Sequence, residues 1–79
     1  MITVLFFGPV AERVGVTRLE FEFRPGLRVQ DVRDALQPRF PDAFELVSLA
    51  AVNGEHVRDL SVELNDRSEL VFMSKFSGG

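Results

Sequence analysis

The residues with the clearest chemical use stand at the end of the sequence, in Lys75-Phe76-Ser77-Gly78-Gly79. Glycine has no side chain to bury and loses more backbone entropy on ordering than any other residue, so a final Gly-Gly adds nothing to a core. What it offers is clearance. Without Cβ atoms the pair can thread a narrow channel, and Ser77-Gly78-Gly79 fully extended spans about 10 Å at 3.3–3.6 Å per residue. The reactive group would be the Gly79 carboxylate, which is ionised at neutral pH and a poor electrophile until it is activated. Lys75 beside this segment reads as a solvated side chain. His56 follows an Asn53-Gly54 turn with no evident partner, too little for a metal site. Asp31 and Asp34 read as helix-end charges and Glu20 and Glu22 as a solvated strand face, so no internal active site is expected.

The rest of the chain must hold that end in place. At 79 residues it is the size of one domain, expected over residues 1–76 with 77–79 as a tail. Hydrophobic residues make up 46% of it and eight are phenylalanine, enough large apolar side chains to build a core without disulfides. The absence of cysteine excludes a disulfide, a thiolate metal site, an iron–sulfur cluster and a thiol nucleophile. A net charge of −3 with nine scattered basic residues argues against nucleic acid as a partner and is more compatible with an electropositive protein. The opening run MITVLFFGPV is too short to span a bilayer and lacks the basic start of a secretory signal, so no membrane association and a cytoplasmic location are expected.

Periodicity then assigns the elements. Ile2 to Phe7 is a strand closed by the Gly8-Pro9 breaker, with Ile2, Val4 and Phe6 on one face and Leu5 and Phe7 on the other. Residues 17–23 form a strand with one wet face, where Leu19, Phe21 and Phe23 alternate with charge. Apolar Val29, Val32 and Leu36 give a helical stripe that Pro38 ends. Phe40-Pro41-Asp42-Ala43-Phe44 reads as a loop or short helical turn that folds its two aromatics onto the core. Leu49 to Val52 is a third strand, Asn53-Gly54 a hairpin turn, His56-Val57 a short fourth strand, and Glu69 to Ser74 the last. Residues 61–65 are ambiguous.

This order suits an α+β fold: a mixed sheet with one main helix packed on one face. The first and last strands are apolar on both sides, which places them next to each other in the interior, in parallel. One helix covers one face only, leaving Leu5, Phe7, Val71 and Met73 on the other. A contiguous apolar patch on a small domain marks an interaction site, and the tail begins where this patch ends.

Four short stretches now carry a resemblance. Phe6-Phe7-Gly8 after the first strand, Val14-Gly15 closing the first loop, Ala51-Val52-Asn53 at the third strand and Phe76-Ser77-Gly78-Gly79 together resemble the small subunit of molybdopterin synthase. That family consists of sulfur carriers with the β-grasp fold of ubiquitin and of the thiamine-pathway carrier. The likeness covers the whole chain in length and element order. Four departures stand out: Arg28 where relatives start the helix with threonine, Ala11-Glu12 for Arg-Glu, Arg67-Ser68-Glu69 for Gly-Asp-Glu, and Ser74-Lys75 for Pro-Pro.

The resemblance implies a β-grasp fold and a subunit that is not an enzyme on its own. An E1-like adenylyltransferase would use ATP to adenylate Gly79, and persulfide sulfur would displace AMP to leave a thiocarboxylate. The large subunit of molybdopterin synthase would hold a cyclic pyranopterin monophosphate as acceptor, in molybdenum cofactor biosynthesis. No cofactor or metal bound to the chain itself is implied. Gly79 is then the reacting residue, Gly78 gives clearance, and Phe7, Val71, Met73, Phe76 and Ser77 meet the partner. The alternatives are a carrier of the same fold serving cysteine, thiamine or another sulfur metabolite, and a ubiquitin-like modifier.

Overall fold

The computed structural model describes residues 1–75. Five strands form one mixed sheet: β1 (Ile2–Phe6), β2 (Arg18–Phe21), β3 (Leu49–Val52), β4 (Glu55–Val57) and β5 (Glu69–Met73), in the order β2-β1-β5-β3-β4. The two strands with apolar residues on both faces, β1 and β5, lie side by side and parallel, with Val4 opposite Leu70 and Phe6 opposite Phe72. Every other pairing is antiparallel. The arrangement follows from burial, because a strand apolar on both sides is best placed between neighbours, and the half-polar β2 and the short β4 take the edges.

Three helices pack on one face: α1 (Gly8–Val14), α2 (Val29–Leu36) and α3 (Pro41–Phe44). The helix at 29–36 has the expected bounds, with Val29, Val32 and Leu36 buried. Its first turn is held by Asp31, whose carboxylate accepts the Arg28 amide at 2.9 Å, so the acidic half of a capping box persists although Arg28 stands in the threonine position. The stretch at 40–44 is a short helix, and its aromatics do turn inward.

The region expected to be a breaker and loop, Gly8 to Gly15, is instead α1. Proline in the first turn of a helix lacks only a donor that would be unsatisfied there anyway, so Pro9 starts this helix and does not stop the chain. Gly15 closes it in the left-handed conformation at φ 94°, its amide donating to the Ala11 carbonyl at 2.9 Å, which is the structural use of the Val14-Gly15 pair. Val10 from α1 is fully buried.

The core lies between the helices and the sheet, and joins Ile2, Val4, Phe6, Ala50, Leu70 and Phe72 to apolar residues of all three helices. Phenylalanines dominate it. Phe6 stacks on Phe72 with ring centroids 6.3 Å apart, and Phe44 meets Phe72 edge-on at 5.1 Å and Phe6 at 6.4 Å. Such pairs contribute about 0.5–1.5 kcal/mol each beyond their buried area. The ambiguous residues 61–65 run as irregular chain over the edge of this core, where Leu64 is buried and the Arg28–Glu63 bridge ties the segment to the start of α2.

Candidate docking face and chain exit

Since α1, α2 and α3 all pack on one side, the second face of the sheet has no helix on it. Residues paired across neighbouring strands share a face, and the register therefore lists what lies there. Leu5 is opposite Val71, Val71 opposite Ala51, and Met73 opposite Leu49. Around this apolar centre the same face carries exposed charge: Arg18 and Glu20 from β2 and Glu69 at the start of β5. Exposed His56, opposite Ala51 on β4, completes the rim. An apolar centre inside a polar rim is the anatomy of a protein interface.

Phe7 extends the strip. It is the residue before α1, its backbone is still extended at φ −118° and ψ 150°, and its amide donates to the Phe72 carbonyl at 3.3 Å. Alternation thus carries its side chain to the Leu5 side, one step along the parallel register from the Leu5–Val71 pair and next to Met73. Phe7 is 47% exposed, while Met73 is half-buried and Val71 only 5% exposed. Of the four sheet residues singled out from the sequence, Leu5, Phe7 and Met73 are accessible. Val71 forms the floor between Leu5 and Ala51.

The exit of the chain is fixed at the same end. The Ser48 amide donates to the Met73 carbonyl at 3.1 Å, and the Lys75 amide donates to Ser48 Oγ at 2.8 Å. These two bonds hold the backbone to Ser48, just before β3, through residue 75, beside Met73. Phe76, Ser77, Gly78 and Gly79 lie outside the described residues. Sequence reasoning missed Leu49, Ala51 and Ser48 as parts of this surface. Nothing in a single strand announces the register of β3 against β5, which is what brings them there.

Among the described residues no three of His, Cys, Asp and Glu are grouped to hold a metal ion, and no helix is long and apolar enough to cross a membrane. Asp59 accepts from the Ser61 hydroxyl at 2.6 Å and the Ser61 amide at 2.9 Å, and these bonds hold its carboxyl below the ordinary value. Asp66 is lowered in the same way by the Met1 ammonium at 2.8 Å. Both are exposed turn residues away from the apolar strip.

A five-stranded mixed sheet with parallel central strands, helices on one face and an uncovered apolar strip on the other defines a ubiquitin-like β-grasp protein. The chain belongs to the ThiS family, whose sequence pattern matches residues 4–79. It has the fold of the ubiquitin-like sulfur carriers. Among solved structures it is similar to a Pyrococcus furiosus protein put forward as molybdopterin converting factor subunit 1, at 25% identity and a TM-score of 0.80, over 92% of this chain and 94% of that one. It is similar also to SAMP1 from Haloferax volcanii, at 22% identity and a TM-score of 0.80, over 99% and 98% of the two chains. A further structure of H. volcanii small archaeal modifier protein 1 gives 20% identity and a TM-score of 0.76, over 92% and 94%. No curated protein matches the sequence significantly.

Proposed function

We propose that this chain is the sulfur-carrying subunit of a molybdopterin synthase, in which the Gly79 carboxylate is the group that carries sulfur. The observation that carries the reading is positional: the uncovered apolar strip of Phe7, Met73 and Leu5 ends where Ser48 holds the chain at Lys75. A partner docked on the strip receives whatever follows residue 75. The ThiS family and the likeness to a protein put forward as molybdopterin converting factor subunit 1 support the same assignment.

In this scheme a Gly79 carboxylate oxygen attacks the α-phosphate of ATP on an E1-like adenylyltransferase, and pyrophosphate leaves. Sulfur from a persulfide then attacks the acyl carbon and AMP departs, leaving an acyl disulfide; a second thiol attacks the donor's sulfur, forms a disulfide with it, and releases Gly79 as a thiocarboxylate. The large subunit binds the strip, draws Ser77-Gly78-Gly79 into its active site, and presents the cyclic pyranopterin monophosphate that takes the sulfur. Phe76 would fix the direction of the tail. Catalysis resides in the partner, and the carrier supplies docking, reach and the activated chain end.

Ser74-Lys75 in place of Pro-Pro favours a second reading, the same carboxylate chemistry serving another acceptor, such as one in cysteine or thiamine synthesis. A ubiquitin-like modifier differs in its product, an amide between Gly79 and a target lysine, visible as a ladder of larger species on a denaturing gel.

The test is the intact mass of protein free at its C-terminus, produced with its activating enzyme, ATP and a sulfur source. The expected result is a species heavier by the difference between sulfur and oxygen, located by fragmentation on Gly79. Gly79→Ala should fold normally and fail to deliver sulfur. A carboxylate that stays unchanged and forms no adenylate under those conditions would reject the reading.

A further inference from the structure

The helix side of the sheet has a cleft of about 310 Å³ where α2 meets β3, β4 and the segment after β4. Its apolar lining includes Val47, Val57, Leu60 and Phe72, and two arginines line it as well, Arg33 from α2 and Arg58 after β4. It reaches Ser48 and Leu49 at the border of the docking surface, but its two arginines and the apolar residues after β4 play no part in the scheme above.

Arginine is the residue suited to planar, bidentate recognition of carboxylates. Among the described residues the ion pairs are Met1–Asp66 and Arg24–Asp31, so Arg33 and Arg58 have no carboxylate within 4 Å. The nearest acid in sequence to Arg58 is Asp59, and its Oδ1 is engaged by the Ser61 amide and hydroxyl. Among the described residues two cations at the border of an apolar cleft thus have no ion-pair partner, in a protein of net charge −3.

We infer that this cleft docks an extended acidic segment of a protein partner, with one bulky apolar side chain set over Val47, Val57 and Leu60 and flanking carboxylates on Arg33 and Arg58. Charge complementarity sets the sign of the occupant. The setting favours a peptide over a small molecule: the cleft is partly open to solvent, whereas small-ligand sites enclose most of the ligand surface. It also lies beside edge strand β4, where an extended chain can pass while one side chain enters. Ser48 lines the same cleft and holds the Lys75 amide, so a segment bound here sits next to the chain exit. The inference does not depend on any chemistry at Gly79.

The experiment is a titration of the full-length ¹⁵N-labelled chain with the peptide acetyl-Asp-Glu-Phe-Asp-Glu-amide, followed by amide chemical shifts. Saturable shifts are expected at Arg33, in Val47 to Ala50 and in Val57 to Leu60. Arg33→Gln and Arg58→Gln should each weaken binding about fivefold, the upper range for an exposed ion pair. Asn and Gln in place of the peptide acids, or Gly in place of its Phe, should weaken it at least as much. Added salt should weaken binding to the unmodified chain, a readout that requires no variant to fold. The inference is overturned by the absence of saturable shifts at millimolar peptide, by shifts centred on Leu5 and Met73, or by affinity indifferent to salt and to both substitutions. It is also overturned if AMP or inorganic phosphate fills the cleft while the peptide does not. Tighter peptide binding after deletion of residues 76–79 would give the cleft to the chain's own end. Shifts that depend on protein concentration without peptide would give it to a second copy.

Discussion

Asn53 and Glu69 are joined by two hydrogen bonds: the Asn53 amide donates to the Glu69 carbonyl at 2.8 Å, and the Glu69 amide donates to Asn53 Oδ1 at 2.9 Å. Asn53 is also the first residue of the β3–β4 turn, at φ 50° followed by Gly54 at φ 87°, the type I′ geometry that Asn-Gly favours. One side chain thereby sets the hairpin and ties it to the start of the strand that leads to the chain exit. The Ala51-Val52-Asn53 stretch has its physical meaning here.

Replacing this residue should separate the two roles. Asn53→Gly keeps the left-handed turn and loses the Oδ1 acceptor, an expected cost of about 1 kcal/mol. Asn53→Ala loses both and should cost about 2–3 kcal/mol, a large part of the stability of so small a domain. Urea denaturation of the two variants measures the difference, and equal costs would mean that the turn conformation is not what Asn53 contributes.

Arg67 is the second non-glycine residue with positive φ, at 70°, where the resemblance leads one to expect glycine. The turn keeps its form regardless, because the Arg67 amide donates to the Met1 carbonyl at 3.0 Å and buried Ser68 accepts the Asn65 amide on its Oγ at 2.9 Å. The left-handed conformation costs an ordinary residue about 1–2 kcal/mol, part of which glycine returns through a more flexible unfolded chain. Arg67→Gly should therefore stabilise the protein by about 0.5–1 kcal/mol, as read by thermal unfolding, without changing the proposed loading of Gly79 with sulfur, as read by intact mass.

Phe7 holds the N-cap position of α1 with no side-chain cap and 47% of its surface in water. Serine is a far better cap, so Phe7→Ser should leave stability unchanged or raise it by up to about 1 kcal/mol. The same change removes the most accessible aromatic of the docking strip and should weaken binding of the proposed large subunit at least about tenfold. Met73→Asp should weaken it comparably at a folding cost of about 1 kcal/mol. Normal binding by both variants in calorimetry would place the interface elsewhere.

Acid lability should have a defined origin. Asp59 and Asp66 are held below the ordinary value of 3.8 by hydrogen bonds present only in the folded state. The folded protein therefore binds fewer protons than the unfolded chain just below that value, and the stability these groups contribute is present above pH 3.8 and lost as pH falls through their lowered folded values. Asp59→Asn should remove that small contribution at pH 7 and change little below the lowered folded value, so the fall in stability below pH 3.8 becomes shallower. Both groups are fully exposed, so the effect is small, and a series of melting temperatures between pH 2 and pH 6 will read it.

Local pattern determined much of this protein. Alternation in Ile2 to Phe6 and Glu69 to Met73 required two strands with apolar residues on both sides, and therefore an interior, adjacent placement. The spacing of Val29, Val32 and Leu36 required α2, and Asn53-Gly54 required a hairpin. The Gly8-Pro9 pair misled, because a breaker and a helix start use the same residues, and only the burial of Val10 against the sheet decides between them. Tertiary structure alone decided that all three helices share one face, that Leu49 and Ala51 join Val71 on the other, and that Arg33 and Arg58 meet at one cleft. Side-chain alternation and helical spacing are properties of a few consecutive residues, legible one segment at a time. Which face is covered, and which strands are in register, depends on burial summed over residues far apart in the chain.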